Sequence, residues 1–251
     1  MIAFVHFTRT SNIGDLMSGP YRYFDFSSAQ VFDFRDEIPA CETVIYGGGA
    51  LINGLLARKP HLAVKAQKRI AWGIGSTRHG HTTSGTLPDG FDLIGSRDIS
   101  CENYAPCTSC MSELFNRSMN PEHELVVYLN NDPRIPRPSG IEGLPAAGNW
   151  IIGGSNPDAY FAKIIAHLAS GETVLTNSYH GAFWATLLRR KVVVAPAYSS
   201  KLQNFKYAPI RSSADGWRTS IRKAISYPEA LDQSRMATLA FAERVRELTG
   251  N

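Results

Sequence analysis

The chain has 251 residues, 43% of them hydrophobic, enough for one large α/β domain or two smaller ones. Its 26 basic and 22 acidic residues leave a net charge of +4 and are scattered, so no basic tract points to nucleic acid as a partner. The longest uncharged stretch, residues 173–188, is broken by Thr176, Asn177, Ser178, His180 and Gly181, which excludes a membrane span from it.

The opening "MIAFVHFTRTSN" carries neither a basic nor a long apolar leader region, so a cytoplasmic chain is expected. The mild basic surplus suits a phosphorylated small substrate, or peripheral association with the inner face of an anionic membrane. Five short apolar runs follow, at residues 2–7, 29–34, 43–49, 69–75 and 91–98, several of them ending in glycine. Continuous rather than alternating apolar runs predict parallel strands covered on both faces. Between residues 101 and 110, Cys101, Cys107 and Cys110 crowd together. A zinc site would need Cys41 or a distant histidine as fourth ligand, so reduced thiols are expected and no metal is assigned.

After residue 118 the pattern restarts with "HELVVYLNND" at 123–132, a Pro/Gly-rich loop, and an apolar "WIIGG" at 150–154 read as a strand. Ser155 or Asn156 can then cap a helix with Pro157 in its first turn. Tyr160, Phe161, Ile164, Ile165 and Leu168 form its apolar stripe, Lys163 and His167 its other face, and Gly171 its end. A strand over 173–176, an apolar helix over 180–190 closed by Arg189, Arg190 and Lys191, and a strand over 192–196 come next. Helices are expected near 214–226 and over 228–248, where Phe241, Val245 and Leu248 keep helical spacing. The expected fold is therefore α/β, with two Rossmann-like halves facing a cleft, at 1–120 and 121–251, and terminal helices on the second. No internal sequence repeat is evident.

Four polar motifs fall at expected strand ends, where ligands bind in such sheets. "TRTSNIGD" offers Asn12, Gly14 and Asp15; Asp15 reads as a helix N-cap or as a base that positions a hydroxyl. "YGGGALIN" offers Gly47, Gly48, Gly49 and Asn53, either a tight strand-to-helix turn or a close approach of backbone to an oxyanion. "GSRD" offers Arg97, a fork for carboxylate or phosphate or else a surface ion pair. In "TNSYHGAFWATLLRRKVVVAP", Asn177, Ser178, His180 and Gly181 stand at a strand-to-helix junction, where free amides and the helix dipole favour an anion. Lys201 lies just past the next strand, either reaching the same cleft or solvated.

In this order, "NIGD", "GGGALIN", "GSRD", "TNSYHGAFWATLLRRKVVVAP" and "SSKLQNF" resemble the polysaccharide pyruvyl transferases, particularly the short bacterial ones acting on exopolysaccharides. The resemblance spans residues 11 to about 206 and rests on order and spacing. It implies a GT-B-like fold and transfer of a pyruvyl group from phosphoenolpyruvate to two hydroxyls of a sugar or lipid-linked oligosaccharide, as a ketal. Phosphoenolpyruvate is then the donor substrate, with no cofactor. It further implies His180 as the proton donor or phosphate ligand, Arg97 and Lys201 as clamps, and Asp15 as the base. Where many relatives carry arginine two residues before the histidine, this chain has Ser178, so one clamp must come from elsewhere. The same architecture admits a glycosyltransferase using a nucleotide sugar, or a carbohydrate-binding module without activity.

Overall fold

The computed structural model describes residues 1–117 and 119–250. Ten parallel-paired strands form two five-stranded sheets. The first contains β1 (Ile2–His6), β2 (Ala29–Asp33), β3 (Cys41–Gly47), β4 (Ala66–Ile74) and β5 (Leu93–Ser96), in the order β2-β1-β3-β4-β5. The second contains β6 (His123–Leu129), β7 (Ala146–Gly148), β8 (Gly171–Thr176), β9 (Lys191–Val194) and β10 (Ile210–Arg211), in the order β7-β6-β8-β9-β10. Each half thus repeats one topology, second-first-third-fourth-fifth, although no sequence repeat accompanies it. In that order the switch point lies between the first and third strands, which places the crevices after β1 and β3 and after β6 and β8.

The helices are α1 (Ile13–Leu16), α2 (Pro60–Ala63), α3 (Pro157–Ala169), α4 (Tyr179–Leu187), α5 (Trp217–Ser220) and α6 (Ala230–Thr249). Asn156 caps α3, its side chain accepting from the amides of Asp158 and Ala159. All nine residues of α4 are buried, because it is apolar around its circumference. The segment expected as a strand at 150–154 is not one. The strand is β7, four residues earlier, within the stretch read as a loop: paired with β6 from Val127 to Leu129, it needs no apolar run because its residues are exposed to half-buried. The helix expected over 214–226 is only one turn, α5, followed by a 3-10 turn at Ile221–Lys223. His167, expected on the polar face of α3, is half-buried with Nε2 2.9 Å from the Val127 carbonyl.

Alternating residues of the strands feed opposite faces of each sheet. Phe4, Ile45, Ile70 and Trp72 meet Phe241, Ala242 and Val245 of α6, whereas Val5, Val44, Tyr46, Ala71 and Ile74 meet Leu51, Ile52 and Leu56. In the second sheet Val126, Tyr128, Val174 and Val194 pack under α3 and α4, and Val127, Leu175 and Val193 pack on Trp217. Packing also crosses between the halves. Ile13, Leu16 and Met17, from α1 and its end, enter the core of the second sheet, while α6 returns from the end of the chain to the first. Truncating Phe241 to alanine would remove a ring wedged against Trp72 and Gly95, at a cost of about 3–5 kcal/mol. These exchanges hold the carboxyl ends of both sheets against each other.

Candidate functional site

Four side chains from four strand ends share one electrostatic environment. Asp15 lies in α1 after β1, Arg97 directly follows β5, His180 is in the first turn of α4 after β8, and Lys201 is in a 3-10 turn after β9. Their charges act on one another: Arg97 and Lys201 both act on Asp15 and on His180, and Arg97 acts on Lys201.

Arg97 is 3% exposed, and its Nε and Nη1 are buried without a hydrogen-bond partner among the described residues. Its guanidinium carbon sits 3.7 Å from the centre of the Tyr179 ring, which in turn stacks on Phe205 at 4.9 Å. Cation–π stacking fixes the plane of the guanidinium but satisfies none of its N–H groups. The neighbouring carboxylate, Asp98, is engaged elsewhere: its Oδ2 accepts from the Ser76 amide at 2.9 Å and the Ser84 hydroxyl at 2.7 Å. Burial pushes the Asp98 pKa up, against the pull of Arg97. A buried, permanent cation with unmet donors is costly unless an anion completes it.

Lys201 adds a second cation. Burial first, then the like charge of Arg97, pulls its pKa down to about 8, against the attraction of Asp15 and Asp132. His180 is 7% exposed, and burial, then Arg97 and Lys201, hold its pKa well below the ordinary histidine value. Its ring is pinned: Nε2 is 3.5 Å from Cys107 Sγ, the ring lies 4.9 Å from that of Trp184, and a Cβ on Gly14 would stand 2.1 Å from Nδ1. Gly14 is therefore glycine because the imidazole occupies the space of its side chain. Gly75 does the same for Arg97, since a Cβ there would be 2.4 Å from Nε.

Asp15 is half-buried, and burial pushes its carboxyl pKa up, with His6, Arg97 and Lys201 opposing. Asn12 both caps α1, accepting from the Gly14 amide at 3.1 Å, and donates to Asp15 Oδ2 at 2.8 Å. Beneath it, His6 is buried with Nδ1 2.5 Å from the Gly47 carbonyl and Nε2 2.6 Å from the Asp15 carbonyl. His6 thus ties α1 to the carboxyl end of β3. Burial lowers its pKa, while the two carbonyls and the Asp15 charge push it up.

The remaining expected site residues divide. Gly49, at φ +88°, would place a Cβ 3.7 Å from both Asp15 Oδ1 and the Leu51 side chain, so it borders the site. Gly47 and Gly48 serve close packing of the chain on itself, since added Cβ atoms would meet Pro20 and the Ser18 carbonyl at 2.3 Å. Gly181 lets α4 descend onto Thr176 and Tyr128. Asn177 holds the loop after β6, accepting from the Asn130 amide at 2.7 Å and donating to the Pro136 carbonyl at 2.8 Å. Ser178 precedes α4 without a side-chain capping bond, so no side chain at that position occupies the first-turn amides. Asn53 is exposed and accepts from the Ser76 hydroxyl, which also lies 3.3 Å from the hydroxyl of Ser200.

Cys107 and Cys110 are buried, and burial raises both thiols, Cys110 to about 12, so neither is a thiolate near neutrality. Among the described residues no three His, Cys, Asp or Glu side chains gather as a metal-ligand set, and no helix is long and apolar enough to cross a membrane. Residues missed in the sequence are His6, Gly75 and Tyr179, and Cys107, read there only as a thiol, lies against His180. Of these, Tyr179 and Gly75 had a signal, lying next to His180 and at the end of the β4 run.

One side of Arg97 is closely packed. The cavity touching Arg97 and Tyr179 measures about 10 Å³, whereas cavities of about 460 and 520 Å³ open elsewhere, around Arg189 and Arg235 and around Arg22 and Asp158. Beside Lys201, residues 76–80 from the first half clasp 198–200 from the second. Gly80 donates to the Tyr198 carbonyl at 2.9 Å, the Ser200 amide to the Arg78 carbonyl at 3.1 Å, and the Arg78 amide to the Ser200 hydroxyl at 3.0 Å.

No protein-family model and no curated protein matches the chain. A solved structure of an uncharacterized protein from Klebsiella pneumoniae is similar at 18% identity and a TM-score of 0.49, over 84% of this chain and 92% of that one.

Proposed function

We propose that the chain is a polysaccharide pyruvyl transferase of GT-B-like architecture, moving the pyruvyl group of phosphoenolpyruvate onto two hydroxyls of a sugar. The observation that carries this reading is the unpaired, buried Arg97 guanidinium, with the charge of Lys201 acting on the same site. Two cations, neither of them hydrogen-bonded to a carboxylate although Asp15 lies within reach of both charges, suit a small donor with a phosphate and a carboxylate at close spacing.

In the reaction a proton adds to the methylene carbon of the enol, leaving a positive centre at the adjacent carbon. One sugar hydroxyl attacks that carbon; a second then displaces phosphate, so the products are a ketal and inorganic phosphate. The two hydroxyl protons released balance the proton consumed at the methylene and one carried off by phosphate or a base. Asp15 fits the base, its raised pKa bringing it towards the working pH. His180 fits the proton donor once an anion offsets Arg97 and Lys201, whose charges otherwise help to keep its proton off.

A nucleotide sugar is the competing donor, because a diphosphate would suit the same cations. One observation disfavours a nucleotide on the first sheet. Asp33, the carboxylate at the end of β2 that would take a ribose hydroxyl, accepts instead from Thr8, Arg9 and Arg35. Calorimetric titration with phosphoenolpyruvate and, in parallel, UDP-glucose decides between them. Saturable binding of the first and not the second is expected; the reverse would replace pyruvyl transfer with glycosyl transfer, and binding of neither would remove the donor site.

A further inference from the structure

The apolar segment after β7 has a use that its sequence alone did not show. Residues 149–151 run antiparallel to residues 11–13: the Ile13 amide donates to the Asn149 carbonyl and the Ile151 amide to the Ser11 carbonyl, both at 2.8 Å. Asn12 and Trp150 are the residues paired between those two bonds. A pair flanked by, rather than sharing, the hydrogen bonds has its side chains on one face and at the closest cross-strand approach. Trp150 therefore stands beside Asn12, whose carboxamide holds the Asp15 carboxylate.

Its exposure sets Trp150 apart. Trp72 and Trp184 are 0% and Trp217 is 2% exposed, whereas Trp150 is 39% exposed. Packing thus accounts for three indoles and leaves the fourth open to solvent at the rim of the candidate site.

We propose that Trp150 is the platform on which a hexopyranose ring of the acceptor stacks, through its C–H-rich face, with its hydroxyls directed to Asp15. This rests on the pyruvyl-transfer reading of the site and names the acceptor side of it. An aromatic face attracts the polarised C–H groups of a sugar ring while the ring hydroxyls remain free to hydrogen-bond, so one contact both binds and orients. The rim favours a neutral ring, since residues 149–157 contain no charged side chain. The same lack of basic residues disfavours an anionic membrane as the occupant, even though Ile152 is 72% exposed.

The test is an array of glycans ending in galactose, glucose, mannose or N-acetylhexosamine, probed with wild type, Trp150→Phe and Trp150→Ala in the presence of phosphoenolpyruvate, with donor calorimetry on the same samples. Wild type and the Phe variant should bind a common set of glycans, and the Ala variant should lose about tenfold in affinity for that set with donor binding unchanged. Identical patterns for wild type and the Ala variant would overturn the platform, as would a wild type that binds no glycan. So would a loss in the Ala variant seen only in a parallel binding assay on vesicles containing phosphatidylglycerol. Donor binding without a Trp150-dependent glycan signal removes the platform and leaves the donor reading intact. A Trp150-dependent signal without donor binding does the opposite.

Discussion

Gly14 and His180 occupy one space: the imidazole Nδ1 lies where a side chain on residue 14 would begin, 2.1 Å from an ideal Cβ. A residue from the first half of the chain thereby sets the position of a residue from the second. Gly14→Ala should displace the His180 ring and destabilise the protein by about 1–3 kcal/mol through overpacking. Thermal unfolding and donor titration check this together; a variant with unchanged melting and unchanged donor binding would show that the ring moves aside freely.

Arg97→Met tests whether the guanidinium is held for a ligand or for the fold. The substitution removes a buried cation with unmet donors and keeps an apolar contact to Tyr179. Donor binding should fall by at least about a hundredfold, while the melting temperature stays level or rises. A large drop in melting temperature would identify Arg97 as a structural residue instead.

Binding of a polyanion should draw protons onto the protein. Lys201, pulled down to about 8, and His180, held well below its ordinary value, both regain basicity when negative charge arrives beside Arg97. Titrations with phosphoenolpyruvate at pH 8 in buffers of different ionisation enthalpy should give uptake approaching about half a proton from Lys201 alone. Lys201→Met should reduce it, and heats independent of the buffer would exclude the coupling.

Stability should also report on His180. Because its folded pKa lies below its unfolded value, the unfolded chain binds the proton first as pH falls. The contribution of His180 to stability is therefore intact above about pH 6.5 and is lost on acidification towards the folded pKa. Wild type should lose melting temperature relative to His180→Gln between pH 7 and 5, with a constant difference above pH 7. A constant difference across the whole range would mean that the ring is not held neutral by its surroundings.

Much of the framework is legible in the sequence. Runs such as "IAFVHF" and "TVIYGGG" mark β1 and β3 because a buried parallel strand must be apolar on both faces, and Asn156 with Pro157 marks the start of α3 because capping is chemistry among neighbours in the chain. The strand near residue 150 was misplaced for the same reason. Its apolar letters suggested burial, whereas β7 is an edge strand with little to bury, and the letters belong to an open rim. Likewise, the polar residues at the strand ends stood out as candidates, but their individual uses did not. Gly47 and Gly48 make room for Pro20 and Ser18, and Asn177 hydrogen-bonds the loop after β6, through contacts between segments far apart in sequence.

What the sequence by itself determined is therefore local: the buried strands and the long helices, though not the edge strand β7, and that their polar ends carry Asp15, Arg97, His180 and Lys201. The tertiary structure alone decided that Asp15 and His180 both come under the charges of Arg97 and Lys201, that Arg97 is stacked and unpaired, and that His6 links α1 to the end of β3 while Trp150 stands beside Asn12. The physical reason is range. Periodicity and capping act over a few residues, whereas burial and charge interaction depend on sheet order and on the crossed packing of α1 and α6, which join parts of the chain more than a hundred residues apart.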